Sequence, residues 1–237
     1  MKREFKIFMD FDGTVTELDV GEAIFREFGD EEKSEAIVYD LLNDRISSKE
    51  SWIKLCNSIT SIDKKELDAF INKMCVEPTF KDLVEYCDEN RIELFILSDG
   101  FDYYVDKILE KNDIKGIKVF SNHLEVSDKL TPEFPYYDEA CFSSSNCKRN
   151  HIINNSSDDD FTVFIGDGNS DKDAVEYCDF VFAKNDLLRH CEMQRITFFP
   201  FKNFNDVIRK LNELDKKKRL KKTYRAQLKR QQAYINE

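Results

Sequence analysis

Residues 8–15 read FMDFDGTV and close a run from Phe5 to Phe11 that is almost wholly apolar. Such a run suits a strand buried on both faces, as in a parallel sheet. Gly13 then releases the chain. Side chains alternate along a strand, so Asp10 and Asp12 face one side while Phe11 turns back toward the core. Two carboxylates held this close repel each other unless a cation joins them. A lone D-x-D-G is also an ordinary acidic turn in which Asp caps its own backbone, so the rest of the chain must decide between the two readings.

Helical signals follow at once. Asp19 with Glu22, Ser47 with Glu50 and Asp63 with Glu66 each pair a capping residue with a Glu three positions on, and apolar residues at helical spacing follow, such as Leu67, Phe70, Ile71 and Met74. Residues 17–77 therefore read as all-helical. After Pro78 the pattern becomes helix, strand at Ile92 to Leu97, helix at Phe101 to Asn112, strand at Ile117 to Phe120 and a later strand at Phe161 to Ile165. Strands alternating with helices indicate an α/β fold, a doubly wound parallel sheet. The expected organisation is an α/β catalytic core from residues 1–16 and 78–214, a helical cap from 17–77 and a basic tail, helical, from 215–237.

Ligands of an open α/β sheet bind beyond the carboxyl ends of its strands, and three further strand ends or helix starts carry chemistry. Ile92 to Leu97 ends in Ser98, Asp99 and Gly100, a hydroxyl and free backbone N–H groups that suit a phosphate. Lys148 opens the helical stretch CKRNHIINN and offers a compact ammonium. Phe161 to Ile165 ends in GDGNSD, which adds Asp167 and Asp171. Each alone has an ordinary reading, as helix cap, surface charge or turn. All four in this order are hard to attribute to chance.

Composition sets the outer bounds. A chain of 237 residues that is 41% hydrophobic can fill a core. Its longest apolar runs fall short of the roughly 18 residues that span a bilayer, and its start is too broken by charge for a signal peptide; a cytoplasmic, membrane-free protein is expected. The net charge of −11 argues against nucleic-acid binding by the whole chain. Residues 216–230, KKKRLKKTYRAQLKR, hold nine basic residues and no acid. They read as a solvated helix lying along the acidic body, with an RNA- or membrane-surface arm as the alternative. The seven cysteines are odd in number and scattered, which favours reduced thiols. Cys141, Cys147, His151 and His123 form a weaker zinc candidate, because Cys-x5-Cys-x3-His matches none of the usual tight ligand pairs. DGNSDKDAVEYC is not a calcium loop: Lys172 stands where glycine is needed and Cys178 where the bidentate Glu belongs.

Asp10-Phe-Asp12-Gly-Thr14, Ser98, Lys148 and Gly166-Asp167-Gly-Asn-Ser-Asp171 together resemble the four ordered motifs of the haloacid dehalogenase superfamily phosphatases. The helical insert resembles their C1-type cap, near phosphoserine phosphatase. LSDGFDYYVDKIL, the Cys147-Lys148 pair and VFAKNDLLRHC are similar to the methionine-salvage phosphatases of 2-hydroxy-3-keto-5-methylthiopentenyl-1-phosphate. The resemblance implies a Mg²⁺-dependent hydrolase of a small-molecule phosphomonoester. Asp10 would be the nucleophile forming an aspartyl-phosphate, and Asp12 the general acid and then base. Asp10, the Asp12 carbonyl and Asp167 would hold the metal, with Asp171 behind them through a metal-bound water. Ser98, Gly100 and Lys148 would bind the phosphate.

Asp99, where many relatives have glycine, is expected to colour the pocket or to face solvent. The Ser98-Asp99 pair is also similar to that of phosphocholine and phosphoethanolamine phosphatases, and Asp19 falls near a substrate-amine position of phosphoserine phosphatases, though it serves equally as a helix cap. A phospho-accepting receiver protein is the rival of another class. It shares aspartates, a hydroxyl and a lysine, but carries its acceptor on a middle strand and has no helical cap.

Overall fold

The computed structural model describes residues 4–236, so residues 1–3 of the expected core and residue 237 of the expected tail lie outside the described residues. Strand β1 (Phe5–Met9) sits at the centre of a seven-stranded sheet of order β4-β3-β2-β1-β5-β6-β7. β1 pairs in parallel with β2 (Glu93–Phe101) on one side and with β5 (Phe161–Gly166) on the other. Ile7, Phe8 and Met9 are fully buried, because helices cover both faces of the sheet. On the one side, β2 leads through α6 (Asp102–Lys111) to β3 (Lys118–Val126); on the other, β5 leads to β6 (Phe180–Ala183) and β7 (Phe199–Pro200).

The strand expected at Ile117 to Phe120 runs longer than the sequence pattern suggested. It folds back in a hairpin onto β4 (Leu130–Glu133), an antiparallel edge on an otherwise parallel sheet. Its outer part is only half-buried, so it lacks the continuous apolar run by which a buried strand is recognised.

Four helices separate β1 from α5 (Phe80–Asn90): α1 (Val20–Phe28), α2 (Glu31–Leu42), α3 (Ser48–Ser58) and α4 (Lys64–Ile71). All four begin where a carboxylate or hydroxyl accepts the N–H three residues on, as Asp19 does from Glu22, Asp30 from Lys33, Ser47 from Glu50 and Asp63 from Glu66. The insert leaves and rejoins the sheet through one neck. Glu17 N donates to the Cys75 carbonyl and Glu77 N to that of Val15, around a single Thr16–Val76 bridge.

The tail departs from expectation in part. Residues 216–223 are not helical; helix α10 (Tyr224–Asn236) follows α9 (Phe204–Asp215) and packs on the turn before β6. Arg225 and Lys229 lie beside Glu176, as expected of a basic helix on an acidic body, but one of its cations is buried. Arg230 is 1% exposed. Its Nη1 donates to Thr162 Oγ1 (3.0 Å) and to the Tyr177 carbonyl (2.5 Å), and Nη2 lies 3.5 Å from Asp179 Oδ2. Charge composition could not show this, since it does not say which of nine cations meets a buried acid.

The cysteines need one correction. Five are free, but Cys141 and Cys147 form a disulfide, because the turn at 138–147 brings the two together ahead of α7 (Lys148–Asn154). Neither histidine of the zinc candidate joins them: His123 Nδ1 lies 2.6 Å from Asp102, and His151 Nε2 lies 2.6 Å from Asn146 Oδ1. Among the described residues no helix is long and apolar enough to cross a membrane.

Candidate active site

The carboxyl ends of β1, β2 and β5 meet the N-terminus of α7 at one point. Asp10 follows β1 directly and is 4% exposed. Its Oδ1 accepts from Lys148 Nζ at 2.5 Å, and the same ammonium donates to Asp171 Oδ1 at 2.6 Å and Ser170 Oγ at 2.9 Å. All three ammonium donors are engaged. The two carboxylates outweigh the burial of Lys148 and raise its pKa, so it stays charged.

Asp171 does two things at once. Its second oxygen accepts the N–H groups of Asp167 and Gly168, both at 3.0 Å, which fixes the loop after β5. Asp167 is thereby aimed at β1, where Oδ1 accepts from Thr14 Oγ1 at 2.8 Å, while Oδ2 accepts from Asn185 Nδ2 at 3.1 Å. The approach requires glycine at position 13. Its φ is +71°, and a Cβ there would lie 2.7 Å from Asp167 Oδ2.

Carboxylate oxygens of Asp10, Asp167 and Asp171 all lie within 4.8 Å of one another. One lysine does not balance three such charges. Burial and then the Asp171 charge push Asp10 well above the usual carboxylate range in spite of Lys148, and burial with Asp171 raises Asp167. An all-oxygen, charge-deficient cluster fits a hard divalent cation.

Asp12, one residue from Asp10, is held at both oxygens. Val20 N donates to Oδ1 at 2.9 Å, and Tyr104 Oη (2.8 Å) and Ser98 Oγ (3.3 Å) donate to Oδ2. Burial raises its pKa while these bonds restrain the rise. Gly100 N donates to Ser98 Oγ at 3.0 Å. Asp10, Asp12, Ser98, Gly100, Lys148, Asp167 and Asp171 thus gather at one place, although β2 continues through Ser98 to Phe101 instead of ending before them.

Asp99 is half-buried and its side chain is held by neighbours rather than projecting freely into solvent. Its Oδ1 accepts from Ser144 Oγ, the N–H and Oγ of Ser145, and Asn146 N; its Oδ2 accepts from Ser48 Oγ (2.5 Å) and Trp52 Nε1 (3.3 Å). These donors fix the direction of the carboxylate in the cavity wall but carry no charge to neutralise it. It ties α3 of the insert to the loop that leads into Lys148. Asp19 caps α1 and lines the cavity with an exposed side chain; the cleft around it and then the Asp12 charge raise its pKa above the usual carboxylate value.

A cavity of about 750 Å³ opens from Asp10 and Asp12 toward the insert. Its far wall is apolar, formed by Phe25, Val38, Leu42, Trp52 and Leu55. Arg26 is its one basic lining residue among the described residues, largely exposed and 3.3 Å from Glu22.

Sequence reasoning missed Tyr104, Ser170 and Asn185 as supports of this cluster. All three stood inside quoted stretches, but nothing local gives Tyr104, one of two adjacent tyrosines, a role at the site. Tyr103 turns instead to Asp68 of α4 at 2.7 Å.

The fold and this cluster define a class. Residues 7–176 match the haloacid dehalogenase-like hydrolase family. A 2-hydroxy-3-keto-5-methylthiopentenyl-1-phosphate phosphatase of Brevibacillus brevis is 31% identical over 218 residues, covering 90% of this chain and 98% of its own. The Pdp3-interacting factor 1 of Schizosaccharomyces pombe is 27% identical over 222 residues, covering 90% and 97%. In fold, a phosphoserine phosphatase solved as a phospho-aspartyl intermediate analogue superposes with a TM-score of 0.69 at 20% identity, covering 89% of this chain and 99% of that one. The chain belongs to the haloacid dehalogenase-like hydrolases and, with the Brevibacillus relative, to the phosphatases among them.

Proposed function

We propose that the chain is a Mg²⁺-dependent hydrolase of a small phosphomonoester, working through an aspartyl-phosphate on Asp10. The observation that supports this most is the Asp10–Lys148–Asp171 arrangement at the foot of the cavity, with Asp12 alongside. Asp10 attacks phosphorus, and a new O–P bond forms as the bond to the leaving oxygen breaks with its electron pair. Asp12 gives that oxygen a proton, then takes one from the water that attacks the phosphoenzyme. Ser98, the Gly100 N–H and Lys148 hold the phosphoryl oxygens where charge spreads in the transition state. Asp10, Asp167 and the Asp12 carbonyl would hold Mg²⁺, with Asp171 behind them, and the ion would supply charge neutralisation of the phosphoryl group.

The α1–α4 insert acts as the cap that chooses the leaving group. Its apolar wall, with Arg26 beside Glu22 as the one basic residue lining the cavity among the described residues, favours a neutral, partly apolar leaving group over a carboxylate-bearing one such as phosphoserine. 2-Hydroxy-3-keto-5-methylthiopentenyl-1-phosphate fits that description, and methionine salvage in the cytoplasm is the setting this reading gives. The acids around the rim, Asp19 and Glu22 among them, favour phosphoethanolamine or phosphocholine as a second reading. A screen of these four phosphomonoesters with and without Mg²⁺ tests both. Highest kcat/KM on phosphoserine would refute the cap reading, and undiminished turnover in chelator would refute the metal.

A further inference from the structure

Tyr104 lies in the first turn of α6 and is 1% exposed, its ring packed 6.3 Å from that of Phe11. A buried phenol needs a hydrogen-bond partner, and this one takes Asp12 Oδ2. Its route depends on an absent side chain. A Cβ on Gly100 would lie 1.5 Å from Tyr104 Oη, so any other residue at position 100 would displace the hydroxyl. Gly100 therefore serves the tyrosine as well as offering its own N–H. The carboxyl group of Asp12 is caught between Val20 at the entry to the insert and Tyr104 on the sheet side, which leaves its rotation fixed.

We infer that Tyr104 is the positioning residue for proton transfer by Asp12: its hydroxyl fixes the carboxyl group and stabilises the carboxylate left when the leaving group departs. The inference rests on the acid role of Asp12 proposed above. In that step the P–O bond breaks with its electron pair on the leaving oxygen, the proton passes from Asp12 to that oxygen, and the phenolic proton stays on Tyr104.

Tyr104→Phe deletes only the hydroxyl. With an alkyl phosphate, kcat should fall about tenfold to a hundredfold, the range for a hydrogen bond to a charged group, while KM shifts less than about threefold. With p-nitrophenyl phosphate, whose leaving group needs little protonation, the first-turnover release of p-nitrophenol should fall less than about threefold. Equal losses on both substrates, or no loss on either, would overturn the inference. Asp12→Asn, assayed in parallel, separates the two levels. If its loss is also independent of the leaving group, the acid role fails and carries Tyr104 with it. If only Asp12→Asn discriminates, the Tyr104 inference alone falls. Adding Tyr104→Phe to Asp12→Asn should cost nothing further, and an undiminished second loss would count against the coupling. Should circular dichroism show Tyr104→Phe unfolded, Tyr104→Leu, which also lacks the hydroxyl, should give the same split.

Discussion

Lys148 and Arg230 are the two fully buried cations of the described chain, each 1% exposed and each set against aspartate, at opposite ends of the same strands. Lys148 sits beyond the carboxyl end of β5. Arg230 sits at the other end, beside Thr162 near the start of β5 and Asp179 just before β6. The surroundings differ. Lys148 stands at the foot of a cavity, with three acceptors and an excess of carboxylate around it that one ammonium does not balance. Arg230, on α10, is buried against a single acid, and the cavity that opens from Asp10 lies at the other end. Burial of an ion pair is therefore not by itself a sign of chemistry. Surplus charge and open space beside it are what distinguish the active end.

The largest effect expected on this comparison is at Asp10, the proposed nucleophile. Asp10→Asn should lower phosphate release by a factor on the order of 10⁶, the scale of a lost nucleophile. No phosphoryl adduct should appear in intact-mass spectra after acid quench, and labelling of this variant would break the assignment.

Lys148→Met should cost about 10²–10³ in kcat, the usual loss for one preorganised charge donor. Asp10 and Asp171 would then face each other uncompensated, and added Mg²⁺ should recover thermal stability more than it does in the parent.

Arg230→Met should do the reverse. Leaving Asp179 buried without its cation costs about 3–5 kcal/mol, a fall in Tm of about 10 °C, while kcat per folded molecule should stay within about tenfold. Truncation after Leu214 should give the same pair of readings. A tenfold or larger loss of kcat/KM in a folded truncation would show that the tail reaches the catalytic end.

The smallest expected effect concerns His151, buried between Phe120 and Tyr136, with ring centroids 4.1 and 4.7 Å away. Desolvation lowers its pKa from 6.5 to about 4. As pH falls below about 6.5 the unfolded chain binds this proton first, so stability is lost across the window down to about 4. By pH 5 the loss is about 2 kcal/mol or less. Denaturant melts of His151→Gln should show a shallower decline than the parent over that range, and parallel curves would remove His151 as a cause.

The contrast between the two buried cations also shows where sequence reasoning reached and where it stopped. Asp10, Asp12, Ser98, Lys148, Asp167 and Asp171 were legible because strand and helix signals are local, and because ligands collect where parallel strands end. The α/β alternation, the helical insert and three of its four capped helix starts were legible for the same reason: each depends on residues at most a few positions apart. The fourth cap, Asp30, has no Glu three positions on to mark it. Asp99 could be read only as a carboxylate of unknown direction. Its six donors come from α3 and from residues 144–146, some 50 positions away on either side. Arg230 was one of nine similar charges until α10 folded onto Asp179. Tyr104 meets Asp12 across 92 residues, by way of a glycine whose value lies in the space it leaves. The sequence determined which groups could do chemistry and the order of the elements that carry them. The tertiary structure alone decided which of those groups are free to act and which are already engaged, because a hydrogen bond or ion pair depends on distances that chain separation does not encode.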